Sequence, residues 1–128
     1  MLKEYLNHFD LPTELINNII WFVESYQDYE DPINAKNSCI EACENFRTFK
    51  DHDLYQDDII FSENLNMTDL YIQGIYNIEK VDWPNQDINH TVIKYKDVFI
   101  DFTAKQYNSE LGYPFVFKLS DWNKNDKD

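Results

Sequence analysis

The residues of this chain best suited to covalent chemistry begin with its two cysteines, which lie one helical turn apart in NAKNSCIEACENF (34–46) as Cys39 and Cys43. The segment CIEACENFRTFK (39–50) places Ile40, Cys43, Phe46 and Phe49 on a common stripe. It follows Asn37 and Ser38, either of which suits an N-cap, and so predicts a helix with Cys39 at its start. There the unsatisfied N–H groups and the positive end of the helix dipole favour a thiolate, the form that attacks. Cys43, on the apolar stripe, is expected to be a small core residue.

A thiol nucleophile needs an imidazole to take its proton, and the imidazole needs an acceptor on its other nitrogen to fix tautomer and orientation. His8, in the first predicted helix, and His52, in the polar KDHDLYQDD, are expected at the surface. His90 opens HTVIKYK (90–96), and a tight turn at Lys96 and Asp97 leads into VFIDFT (98–103), which carries Asp101. Two antiparallel strands joined in this way bring the start of one beside the end of the other, so His90 and Asp101 are expected within hydrogen-bonding distance. Cys39 as nucleophile, His90 as proton carrier and Asp101 as its orienting acid form the candidate catalytic set. A Cys-x3-Cys pair on one helix lacks the second ligand pair of a structural zinc site, so no metal is expected, nor any other cofactor.

The elements that must position these residues change period along the chain. LPTELINNIIWFVESY (11–26) has Pro12 in its first turn and Ile16, Ile19, Ile20, Val23 and Tyr26 at helical spacing; a short helix over 2–9 precedes it and QDYEDPINAK (27–36) reads as a loop. DIIFSE (58–63), DLYIQGIYNI (69–78), HTVIKYK and VFIDFT have the length and β-branched or aromatic content of strands. GYPFVFKLSDW (112–122) is a last extended segment. Helices first and an antiparallel sheet second predict an α+β domain over 1–122, with 123–128 as a flexible tail. Trp21, Phe22, Phe46, Phe49, Phe99, Phe102, Phe115 and Phe117 are expected in the core, and Trp83, just before His90 in KVDWPNQDINH, as a wall of a substrate cleft.

Composition narrows the functional classes. At 128 residues, 16% of them aromatic, the chain has the size and the apolar content for one packed domain. Two glycines leave no glycine-rich phosphate loop. A net charge of −13 repels nucleic acid and anionic lipid, so neither is an expected partner. MLKEYLNHFD has neither the basic nor the apolar part of a signal peptide, and no apolar run has the length of a membrane span. The expectation is a cytoplasmic protein, made in one cell and open to delivery into another, with thiols that stay reduced.

HTVIKYKDVFIDFTAKQY resembles the His-strand, turn and Asp-strand segment of small papain-like and transglutaminase-like cysteine enzymes, through His90, Ile100-Asp101, Thr103-Ala104 and Gln106-Tyr107. NSCIEAC resembles the stretch in which their nucleophile opens a helix, with Cys39 as nucleophile and Cys43 as the small residue four places on. The resemblance covers roughly 34–117 and implies a papain-like core acting on a carboxamide or peptide carbonyl through a thioacyl enzyme. Proteases, transglutaminases, bacterial effector deamidases and toxin domains share that chemistry, and a protein or peptide substrate goes with it. Such enzymes often use a Gln before the Cys as oxyanion donor; here the side-chain candidates are Gln27, Asn34 and Asn37, beside the backbone N–H of Cys39. Thr103 and Gln106 read as scaffold for the strand end. The alternative is a non-catalytic acidic protein, of the kind found as phage or bacterial inhibitors and DNA mimics, that binds a basic protein partner.

Overall fold

A computed structural model describes residues 2–49, 52–66, 89–118 and 120. Its helices are α1 (Leu2–Asn7), α2 (Thr13–Ser25), α3 (Pro32–Ala35) and α4 (Cys39–Phe49). Strands β1 (Ile59–Asn66), β2 (Asn89–Tyr95), β3 (Val98–Asp101) and β4 (Phe115–Lys118) follow, hydrogen-bonded in that order as an antiparallel sheet. Helices followed by an antiparallel sheet make the chain α+β, as its change of hydrophobic period predicts. The expected strand at 69–78, Trp83 and the tail at 123–128 lie outside the described residues.

Local chemistry explains the boundaries. Pro12, with φ of −58°, immediately precedes α2 and presets the backbone for it. The segment 27–36, expected as a loop, instead holds a 3-10 turn at Gln27–Glu30 and the single turn of α3. The reason is that Pro32 sits where a helix begins: the Asp31 side chain accepts from the Ile33 N–H at 2.9 Å, and the N–H that proline lacks would have had no partner there. Lys96 takes φ of 53°, the left-handed conformation that a two-residue hairpin turn asks of its first position.

Helices α2 and α4 pack on the sheet around Phe22, whose ring stacks on Tyr26 at 4.5 Å, meets Phe46 edge-on at 5.4 Å and lies 4.6 Å from Phe102. Leu15, Ile19, Ile93 and Ile100 complete this core, each fully buried. Tyr5 ties α1 to the far strand: its hydroxyl donates to the Val116 carbonyl at 3.2 Å and accepts from the Val116 N–H at 2.9 Å. Two expectations about burial need correction. Trp21, assigned to the core, is 49% exposed, because α2 buries Leu15, Ile19 and Phe22 instead. Ile40, assigned to the apolar stripe of α4, is 69% exposed, because that helix is turned to bury Ala42, Cys43 and Phe46.

His52 is a third correction, being buried rather than at the surface. Its Nε2 donates to the Phe46 carbonyl at 2.9 Å, which leaves Nδ1 to accept from the Tyr55 hydroxyl, and that hydroxyl accepts in turn from Asn18 Nδ2. His52→Ala would remove a ring from the core and a partner from two buried polar groups. A loss of about 2–3 kcal/mol is expected, read as a lower urea midpoint at unchanged slope, with Cys39 alkylated at its wild-type rate. Among the described residues, no helix is long and apolar enough to cross a membrane.

Candidate active site

The hairpin of β2 and β3 sets the first half of the site. Ile93 pairs with Ile100 and Tyr95 with Val98, and continuing that register puts Asp101 opposite Val92. His90 lies two residues further along the same strand on the same face, a diagonal neighbour within reach of longer side chains. The structure closes this diagonal: His90 Nε2 stands 2.6 Å from Asp101 Oδ2, both side chains at most 1% exposed. The other carboxylate oxygen of Asp101 accepts from the Thr103 N–H at 2.8 Å and from the Thr103 hydroxyl at 3.3 Å. Asp101 is therefore engaged at both oxygens, by His90 at one and by Thr103 at the other.

Helix α4 delivers Cys39 to this pair. Asn37, at φ of 62°, turns the chain out of α3, and the Ser38 carbonyl accepts the first helical bond from the Ala42 N–H at 2.8 Å. The Ser38 hydroxyl, expected as a cap, points back and donates to the Asn34 carbonyl at 2.9 Å. Helix α4 therefore presents Cys39 together with the first-turn N–H groups that have no acceptor within a helix. The His90 side chain and the Thr91 backbone are close enough to Cys39 to act on its thiol as hydrogen-bonding groups. Because Nε2 of His90 is engaged by Asp101, Nδ1 is the nitrogen left to serve the sulfur.

The electrostatics follow from these contacts. Partial burial pushes the Cys39 thiol up, but the hydrogen bonds from His90 and Thr91, with the charge of His90, outweigh it and leave the thiol below its ordinary value. Burial pulls His90 down, yet the Asp101 charge and hydrogen bond, with a further contribution from Cys39, raise it to about 9. Both shifts favour a thiolate and imidazolium pair near neutrality. Cys43 behaves differently: it is buried, burial and the nearby Asp101 charge raise its thiol, and its Sγ donates to the Thr91 carbonyl at 3.6 Å. The Thr91 backbone thus acts on both sulfurs, with only Cys39 poised to react.

Two residues read as scaffold turn out to join the halves of the site. Gln106 Oε1 accepts from the Asn37 N–H at 3.2 Å while its Nε2 donates to the Thr103 hydroxyl at 3.1 Å, linking the turn before Cys39 to the holder of Asp101. Tyr107, which residue type alone did not single out, sets its hydroxyl 3.2 Å from His90 Nδ1 and its ring edge-on to the imidazole at 4.9 Å. The side-chain oxyanion candidates are less closely drawn in. Asn34 lines a hollow with Tyr29, Glu41 and Asn45, on the side of α4 away from the Cys39 and Cys43 stripe. Gln27 is exposed in the 3-10 turn, and Asn37 engages Gln106 through its backbone. A second hollow of about 280 Å³ runs beside α4 from Ile40 past Cys43, Glu44 and Arg47, with Phe61 and Asn64 of β1 opposite. Among the described residues, no group of three or more His, Cys, Asp or Glu side chains is arranged to hold a metal ion.

Compared with protein-family models, with curated proteins and with solved structures, the chain matches none of them.

Proposed function

We propose that the chain is a cysteine-dependent amide hydrolase or acyl transferase with a papain-like core, and that deamidation of a protein side chain is the first choice among its reactions. The observation that carries this reading is the contact chain from Asp101 through His90 to Cys39, in which a buried carboxylate 2.6 Å from one ring nitrogen leaves the other to serve a thiol at a helix start. The thiolate of Cys39 would attack a carbonyl carbon, and the first-turn N–H groups of α4 would receive the oxyanion. His90 Nδ1 would give its proton to the leaving nitrogen as the C–N bond breaks. Water, or an acceptor amine, would then release the acyl group. Ile33 and Ile40, 81% and 69% exposed on the helices that flank Cys39, suit a docked protein better than a small free amide.

Iodoacetamide labelling at pH 7, read separately for each cysteine by peptide mass spectrometry, tests the premise. Cys39 is expected to react at least tenfold faster than a free thiol, and Cys43 far more slowly. A Cys39 no faster than free cysteine would defeat the enzymatic reading. The acidic-binder reading would gain if Cys39→Ala left biological activity intact while reversal of surface carboxylates abolished it.

A further inference from the structure

His90 has no exposed surface, so whatever exchanges protons with it must come past the groups that cover its ring. Asp101 occupies Nε2 at 2.6 Å, which leaves every proton transfer to Nδ1. That nitrogen must serve the Cys39 thiol, the leaving nitrogen and the deacylating water in turn. Each visiting atom has to stand about 3 Å from it. Cys39 and His90 act on each other as hydrogen-bonding neighbours, and the Tyr107 hydroxyl already stands 3.2 Å from Nδ1. An atom that stands about 3 Å from Nδ1 on the side of that hydroxyl is within hydrogen-bonding reach of both. Tyr107 is half-buried and carries an edge-on ring contact to His90 at 4.9 Å, which fixes where the hydroxyl can be. Burial and the charges of Asp101 and Cys39 raise its phenol, so it remains an O–H donor wherever the thiolate forms.

Resting on the thioacyl reading above, we infer that Tyr107 holds the deacylating water, its hydroxyl donating to the water oxygen while His90 Nδ1 accepts the water proton. In that step the water oxygen bonds to the acyl carbon, and its proton passes to Nδ1. The tetrahedral oxyanion then collapses, the C–S bond breaks, and Cys39 leaves as the thiolate beside the imidazolium. The product is a carboxylic acid that loses its remaining proton to solvent, and the resting ion pair is restored. Tyr107 thus favours hydrolysis over transfer to an amine, because it orients water at the one nitrogen able to deprotonate it.

p-Nitrophenyl acetate separates the two half-reactions, since its activated leaving group needs no proton during acylation. Wild-type chain is expected to release a burst of p-nitrophenol, one per Cys39, followed by a slower steady rate set by deacylation. Tyr107→Phe keeps the ring against His90 and removes only the hydroxyl. The steady rate should fall roughly 3- to 10-fold, the worth of one hydrogen bond, with burst rate and Cys39 alkylation rate both within twofold of wild type. A steady rate within twofold of wild type overturns the inference, as does a burst or alkylation rate that falls with it, since Tyr107 would then act on the ion pair itself. A wild-type chain without a burst overturns the thioacyl reading and this inference with it.

Discussion

His90→Gln should slow alkylation of Cys39 at pH 7 by on the order of 10- to 100-fold. Glutamine is close to histidine in length, and its amide can still donate to Asp101 Oδ2, so the buried carboxylate keeps a partner and the pocket keeps its filling. It cannot hold a proton for the thiol. The groups acting on Cys39 are then unbalanced: burial raises the thiol, the Asp101 charge raises it further, and of the groups that lower it only the Thr91 backbone is left. The thiolate is disfavoured beyond the level of a free cysteine. A thiol of higher pKa is also a stronger nucleophile once ionised, which returns a part of the loss, so the fall in rate is smaller than the fall in thiolate fraction. The pH profile carries the sharper signature. Wild-type Cys39 should alkylate on a profile whose rise lies on the acid side of free cysteine, and the His90→Gln profile should rise on the alkaline side. Profiles that coincide would show that His90 does not set the state of Cys39. Cys43, buried and held by the Thr91 carbonyl in both proteins, is the internal control.

How much of this site could be read before folding follows from the range of the interactions that make it. Cys39 at a helix start and His90 across a hairpin from Asp101 are local facts, each encoded within about a dozen residues, and periodicity and turn chemistry reach that far. The α+β order is legible for the same reason. What failed was long-range. Whether Ile40 or Ala42 faces inward depends on where α4 lands on β1 and β2, and a one-residue rotation of a helix is only 100°, too little for a short stripe to specify. His52 sits among charged neighbours in sequence, yet the Phe46 carbonyl, Tyr55 and Asn18 gather around it once α2 and α4 pack. Gln106 and Tyr107 belong to the same lesson. Their partners, Asn37 and His90, come from elements whose docking no local pattern predicts, so Gln106-Tyr107, noted only as part of the resemblance, carried no role for either side chain in joining the site.

The buried pair also makes a prediction about stability that needs no substrate. Cys39→Ala removes the thiol, so the titration of His90 against Asp101 can be followed alone. Burial still pulls the imidazole down, but the Asp101 charge and hydrogen bond, the largest of the influences that raise it, remain. The folded protein then holds the His90 proton more tightly than the unfolded chain, whose histidine titrates near 6.5. Between that pH and the folded pKa the native state binds more protons than the unfolded one, so the slope of unfolding free energy with pH is negative. The stabilisation is complete below about pH 6.5 and is lost as pH rises towards about 9, the value the intact site holds. On the order of 1–3 kcal/mol should disappear across that window, measured as urea midpoints in a pH series. Adding Asp101→Asn should reverse the sign. With the charge gone, burial dominates, the folded pKa drops below 6.5, and stability from this residue should rise with pH up to that value and stay flat above it. Asparagine also turns a donor towards Nε2, so the neutral ring can accept there only by carrying its proton on Nδ1, the wrong tautomer to serve a thiol. The double variant should therefore be destabilised most at low pH, by about 3–5 kcal/mol relative to Cys39→Ala alone. Subtracting one pH series from the other cancels every carboxylate elsewhere on the acidic surface. A difference independent of pH from 5 to 9 would mean that His90 and Asp101 exchange no proton-linked energy in the folded chain.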